Sequence, residues 1–185
     1  SSRTYLNLIT YYHFNKLDST NNYAESLIKD KRPTTPYVIT TDYQTEGQGT
    51  KQRKWYAEKN KSLLYTLVFF SKNPSINTEI IVLTAAKSVQ TILENHYQIA
   101  TKIQKPNDIY LNHKKIGGIL IKNIIQGKKC WTLIGIGLNI NTSYFPEEIK
   151  NKATSIYQET KKEIIIRELD KPLTHHLLQS YSSIM

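Results

Sequence analysis

The sequence of 185 residues predicts an α/β domain: a mixed, largely antiparallel sheet with helices packed mainly on one side. Three observations predict it. Residues 77–97 carry apolar side chains at helical spacing, the clearest helical segment of the chain. Residues 99–141 hold a run of short β-branched segments separated by turn dipeptides, which reads as consecutive strands. Upstream, strand-like and helix-like segments alternate, the order expected of an α/β sheet rather than of a bundle or a sandwich.

Taken in order, residues 4–14 are rich in β-branched and aromatic side chains and predict a strand. Asp18-Ser19-Thr20-Asn21 then offers capping side chains for a helix over 22–30, with Tyr23, Leu27 and Ile28 on one face. Pro33 and Pro36 interrupt the chain before a strand over 37–43. Residues 44–60 are polar and have no clear period, so they predict a long loop, a feature uncommon in compact domains unless it is functional or mobile. A buried strand over 62–70 follows. The helix over 77–97 should bury Ile80, Ile81, Leu83, Thr84, Val89, Ile92 and Leu93. Strands are expected over 99–105, 108–111, 114–125 and 130–141, with turns at Asn112-His113 and Gln126-Gly127. Residues 146–150 suggest a short helix, and 164–184 one or two helices broken at Pro172.

Bulk properties narrow the function classes. Hydrophobic residues make up 39% and charged residues 22%, which fits a globular domain and excludes a disordered one. No apolar run reaches the ~18 residues needed to span a bilayer, and Ser1-Ser2-Arg3-Thr4-Tyr5 lacks a secretory apolar segment. The single cysteine, Cys130, excludes an internal disulfide and favours a cytoplasmic location; beside Trp131 in a strand, it reads as packing. A net charge of +10 invites a nucleic-acid reading, but the lysines are scattered and form no basic block. Nucleic acid is therefore not the expected partner, and because residues 4–14 read as a strand, a DNA-binding helix-turn-helix is not expected over them. The five histidines show no metal-ligand spacing, and His175 and His176 read as surface residues.

Four motifs carry the chemistry. Gly47-Gln48-Gly49 precedes Arg53-Lys54-Trp55; Pro106-Asn107-Asp108 joins two strands; Lys115-Ile116-Gly117-Gly118-Ile119-Leu120 and Gly135-Ile136-Gly137-Leu138-Asn139 lie within strands. Activating a carboxylate with a nucleotide needs close backbone approach to phosphates, cations to offset two repelling anions, and exclusion of water from the mixed anhydride. Glycines permit the first. Each motif alone has a plainer reading: a flexible loop for Gly47–Gly49, a β-bulge for Gly117-Gly118, a simple helix cap for Ser19-Thr20-Asn21.

Together they resemble the catalytic domain of biotin–protein ligases, a fold shared with lipoate ligases and related to class II synthetases. The resemblance covers residues 15–180, nearly the whole chain. It implies a single catalytic domain over 1–185, with no N-terminal DNA-binding domain and without the family's small C-terminal β-domain. That family makes biotinyl-5′-adenylate from biotin and ATP and transfers biotin to a lysine of a biotin carboxyl carrier protein domain. The resemblance assigns biotin contacts to Ser19, Thr20, Asn21, Gln44, Gly47, Gln48, Gly49, Trp55, Lys115, Gly117 and Gly118. It assigns nucleotide contacts to Asn107, Asp108, Asn139, Thr154 and Ser155, and the catalytic role to Arg53, Lys54, Gln104 and Lys105. Mg2+ accompanies ATP, with Asn107 and Asp108 nearest to it; no resident metal is implied.

Departures from the family pattern set further expectations. The family's first two loop arginines are Gln48 and Thr50 here and a loop glycine is Gln52, so the adenylate is held less tightly, with Lys51 a partial substitute. The family's Lys-Trp-Pro-Asn-Asp is Gln104-Lys105-Pro106-Asn107-Asp108. If Ile103 lies in the core, strand alternation turns Gln104 toward the site. Losing one stabilising donor then slows adenylation by about 10²–10³-fold, unless a bulge re-aims Lys105. Two other readings stay open: a binder of biotin or adenylate without ligase activity, and a lipoate or octanoate ligase or transferase. Exposed strands also offer an edge for a homodimer.

Overall fold

The computed structural model describes residues 8–72, 77–104 and 106–184. Lys105 and the first part of the strand expected over 4–14 lie outside these residues. Seven strands form one sheet in the order β1-β2-β3-β7-β6-β5-β4. They are β1 Thr10–Phe14, β2 Tyr37–Thr41, β3 Ser62–Lys72, β4 Lys102–Gln104, β5 Asp108–Leu111, β6 Lys114–Gln126 and β7 Lys129–Asn139. The β1–β2 pair is parallel and every other pair antiparallel, the mixed and largely antiparallel sheet that the sequence predicts.

The turns follow from local chemistry. Asn112 and His113 both take left-handed φ values, 48° and 71°, and close the β5–β6 hairpin. Gly127 at φ 62° turns β6 into β7. Helix α1, Thr20–Lys31, starts at Ser19, whose hydroxyl accepts from Asn22 N at 2.9 Å. Asn77 caps α2, Thr78–Tyr97, by accepting from Glu79 N and Ile80 N. A short α3, Ile156–Thr160, is capped by Ser155, and α4 covers Asp170–Ser182.

Strand alternation sorts the sheet into two faces. Leu63, Tyr65 and Leu67 of β3, with Ile134, Ile136 and Leu138 of β7, face α2 and α4 in the main core. Val68, Trp131 and Leu133 point the other way, under Ala24 and Ile28 of α1. Two of the three longer helices thus share one face. Farther along the α1 face the register aligns Thr66 with Gly135, and Leu64, Gly137 and Gly118 in the next row. The apolar layer stops there and leaves a cleft. Cys130 is fully buried as packing. Among the described residues, no helix is long and apolar enough to cross a membrane.

Several expectations are corrected. Pro172 does not break the last helix; it falls in the first turn of α4, where backbone N–H groups lack intrahelical partners and a ring costs nothing. Residues 147–150 are turns rather than a helix, and α3, which follows them, has no periodic signal because it is only 5 residues long. Ile80, in the first turn of α2, is 48% exposed, and Ala85, Ala86 and Ser88 fill the buried face instead. His176 is half-buried and shares a hydrogen bond with Ser88 Oγ at 2.9 Å.

Candidate active site

The cleft lies between the start of α1, the 44–60 loop and the glycine-lined stretch of β6 and β7. Its floor has no side chains at three points. Gly118 of β6 pairs with Gly137 of β7, and Gly135 lies two residues before Gly137 on the same face. A Cβ on Gly135 would come within 2.7 Å of the Asn21 carboxamide, and one on Gly137 within 3.0 Å of the Trp55 indole. The glycines therefore let Asn21 and Trp55 rest directly on the sheet backbone. Gly117 points to the opposite face, where a Cβ would collide with Leu138 and come within 2.6 Å of Gly137 O.

One end of the cleft is an amide and hydroxyl cluster. Gln44 Oε1 accepts from Thr20 N at 2.8 Å and ties the loop to the first turn of α1. Asp18 Oδ1 accepts from Ser19 N at 2.6 Å. Thr66 Oγ lies 2.7 Å from Thr20 Oγ and 2.6 Å from Asn21 Oδ1. The other end is ionic. Lys115 Nζ bonds Asp108 Oδ1 at 2.9 Å and sits 5.5 Å from the Trp55 ring centroid, a cation–π distance. The free volume between the two ends is about 90 Å³, with Trp55 packed inside the cleft and its indole N–H buried without a partner.

The 44–60 loop is more ordered than its composition suggests. Trp55 N donates to Gly47 O at 2.8 Å and Gly49 N to Arg53 O at 2.6 Å, closing a small hairpin. Lys51 and Gln52 turn its tip at φ 57° and 59°. Gly47 is needed because a Cβ would meet Gln44 Nε2 at 2.8 Å. Gln48, Gly49 and Thr50 line the cleft, whereas Arg53 and Lys54 are exposed and do not.

The other predicted residues separate. Asn107 lines the cleft, its Nδ2 donating to Ile119 O at 2.9 Å. Ile103 packs against the main core, so Gln104 lies on the cleft face of β4, paired with Asp108; it is exposed and lines a neighbouring groove with Lys102 and Tyr110. Asn139 points from the cleft face of β7, with Nδ2 bonded to Thr154 O at 3.1 Å and Oδ1 buried without a partner. Ser155 is fully buried and donates to Thr142 O, a bracing role for the segment beside Asn139. Thr154 Oγ donates toward Glu159 at 2.9 Å.

Sequence reasoning missed Thr66, Gly135 and Gly137 as individual site residues. The glycine spacing of two in β7 carried the signal, since alternation sends both to one face. Thr66 had none; a single hydroxyl in an apolar strand looks like any other.

The model of the biotin/lipoate A/B protein ligase family matches residues 14–139. The bifunctional ligase/repressor BirA of Bacillus subtilis is 33% identical over 156 residues, 83% of this chain and 47% of that protein. The chain thus spans about half the length of the curated relatives it matches. Biotin protein ligase from Aquifex aeolicus, solved in complex with biotin and ATP, shares the fold with a TM-score of 0.77 at 29% identity. That match covers 94% of this chain and 72% of that one. The ligase from Leishmania major, solved with biotinyl-5-AMP, gives 0.72 at 25% identity over 94% of this chain and 75% of that one. With its seven-stranded mixed sheet and glycine-floored cleft, the chain belongs to the biotin/lipoate A/B protein ligase family and has the catalytic-domain fold of its biotin protein ligases.

Proposed function

We propose that this chain condenses biotin with ATP to biotinyl-5′-adenylate and transfers the biotinyl group to a lysine of a biotin carboxyl carrier protein domain, in the cytoplasm. The carrying observation is the polarity of the cleft: neutral amides and hydroxyls at the α1 end, Lys115 held by Asp108 at the other. Biotin has matching ends, an uncharged ureido ring and a carboxylate. Thr20 and Asn21 face the ring, and Gln44 holds the loop against the first turn of α1. Lys115 draws the carboxylate toward the α-phosphate and offsets their repulsion.

In the first step a carboxylate oxygen attacks the α-phosphorus, forming the mixed anhydride as pyrophosphate departs. In the second the carrier's neutral lysine amine attacks the anhydride carbonyl, AMP leaves, and the amine proton passes to solvent. Trp55 and the 47–55 hairpin cover the anhydride and limit hydrolysis. Asn139 Oδ1, buried without a partner, offers an acceptor to the nucleotide base. Magnesium enters as part of the Mg–ATP substrate. Asp108, with Asn107 the residue nearest the expected Mg–ATP, pairs through Oδ1 with Lys115.

The test is biotin-dependent ATP–pyrophosphate exchange, with lipoate as the control acid. Exchange with biotin alone is the expected result, slowed by the absence of lysine at Gln104. Exchange with lipoate alone would reassign the substrate. Biotin binding without exchange would make the chain a binder.

A further inference from the structure

The sheet face that floors the cleft does not end at the Lys115–Asp108 pair. It continues over β5 to the edge strand β4. The register sets Lys115 beside Tyr110 and Tyr110 beside Lys102; one row along, Gly118 stands beside Asp108 and Asp108 beside Gln104. Past the ion pair this face opens into a groove of about 470 Å³, lined by Lys102, Gln104, Tyr110, Asn112 and His113. The one fixed charge among the lining residues is Lys102. It is exposed and pairs with no carboxylate among the described residues. Glu159, beside the groove, accepts from Asn112 Nδ2 at 3.3 Å and from Thr154 Oγ at 2.9 Å.

The direction of the cleft leads into this groove. Its uncharged end lies over β3 and β7 and Lys115 stands on β6, so an acid bound along it points its carboxylate toward β5. Displacement at the α-phosphorus is in line. As the bond from the carboxylate oxygen forms, the bond to the bridging oxygen of the β-phosphate breaks on the opposite side, and its electron pair leaves on pyrophosphate. That departure runs over β5 and β4. Lys115 offsets the departing charge only in part, because Asp108 pairs with it at 2.9 Å. We propose that the groove on β4 and β5 holds the β- and γ-phosphates of ATP, and then pyrophosphate, with Lys102 as the cation that touches them. The site rests on the functional reading above and adds a place for the leaving group. Lys102 and Lys115 stand two strand spacings apart, roughly 10 Å, and so bracket a polyphosphate rather than share one phosphate. The plainer role of a lysine on an edge strand is to keep that edge from pairing with another sheet. Such a role takes no account of which phosphate ligand binds.

Calorimetric titration of ATP, AMP and inorganic pyrophosphate, with Mg2+ present throughout, separates the two roles. The chains compared are wild type, Lys102→Ala, Lys102→Arg and Lys87→Ala, the last removing the same charge from the exposed face of α2. Affinity for ATP and for pyrophosphate is expected to fall about 5- to 20-fold in Lys102→Ala, with AMP unchanged. Lys102→Arg restores both, and Lys87→Ala behaves as wild type. Wild-type pyrophosphate affinity in Lys102→Ala, an equal loss for AMP, an equal loss in Lys87→Ala, or no pyrophosphate binding by the wild-type chain would each overturn the proposal. Should loss of the edge charge make Lys102→Ala associate, Lys102→Glu keeps the edge charged and is expected to lose still more pyrophosphate affinity. These titrations need no biotin. Failure of the ligase reading therefore shows separately, as no biotin-dependent exchange by a wild-type chain whose pyrophosphate binding still depends on Lys102.

Discussion

Lys115 is held at the cleft by two different interactions, the Asp108 ion pair at 2.9 Å and the Trp55 face at 5.5 Å. Its Cα sits where β6 leaves the 153–154 segment, with Lys115 N donating to Lys152 O and Thr154 N to Lys115 O. Position and direction are both fixed, as electrostatic stabilisation of a developing charge requires. Lys115→Ala is therefore expected to lower the exchange rate by about 10²–10³-fold. Lys115→Arg should recover little of the loss, because a fork does not replace a point charge in the same space. Exchange kinetics on the two variants check this, and a rate close to that of wild type in Lys115→Ala would remove it from the mechanism. Lys115, Thr20, Asn21, Gln44, Gly118 and Asn107, singled out by the family resemblance, are brought by the fold to one cleft. Arg53 and Lys54 were equally conspicuous yet point outward, because no pattern in an aperiodic loop encodes side-chain direction. The hairpin that turns them away depends on left-handed φ at Lys51 and Gln52, residue types that seldom signal it.

At the scale of the element, β7 does most to shape the site. Its first half carries Trp131 and Leu133 into the layer beneath α1; its second half carries Gly135 and Gly137 on the same face. One strand thus passes from core to binding floor by changing side-chain size alone. The strand and its hairpin with β6 were readable from the run of β-branched residues and the Gln126-Gly127 turn, whereas its pairing with the distant β3 was not. The first helix was readable from its capping cluster Asp18-Ser19-Thr20-Asn21, although it starts two residues earlier than expected, and α2 was readable from its periodicity, with Asn77 proving to be its cap. Pro172 misled because a breaker in a helix interior is a tolerated residue in a first turn. Gly137→Ala tests the floor. The added Cβ meets the Trp55 indole at 3.0–3.2 Å, so the indole must lift and the 47–55 hairpin must lift with it. Amide exchange at Gly49 and Trp55, whose N–H groups close that hairpin, is expected to quicken about tenfold or more, while β3 and β6 amides keep their protection. Unchanged exchange at both positions would show that Trp55 does not depend on the glycine floor.

Across the whole molecule, the two ends of the described chain are joined by a polar network on the α4 side of β1 and β2. His13 of β1 bonds Asp42 at 3.1 Å and Thr40 at 2.9 Å; Arg167, just before α4, reaches His13 at 2.8 Å and Asp170 at 3.3 Å. Tyr65 and Thr174 share a hydrogen bond, and Thr174 donates to Asp170 O, completing the link between the sheet and α4. No motif announced this network, because its members are far apart in sequence and ordinary in type. Asp170 is its weak point. Burial pushes its carboxyl up from 3.8 to about 6, with Arg167 and His13 pulling it back only in part, and its Oδ1 has no partner. The sign of the consequence follows from linkage. Between pH 3.8 and about 6 the unfolded chain releases this proton while the folded chain retains it. Folding then takes up a proton, so the contribution of Asp170 to stability falls as pH rises through that window and stays low above it. A carboxamide cannot ionise, so Asp170→Asn should escape this loss. The stability of that variant relative to wild type is expected to improve by about 1–3 kcal/mol between about pH 4 and pH 7, a figure that already includes the loss of the Arg167 pair. Urea unfolding of both chains at the two pH values measures the difference directly. A difference that does not move with pH would mean that Asp170 is ionised throughout, held by Arg167 and His13 strongly enough to cancel its burial.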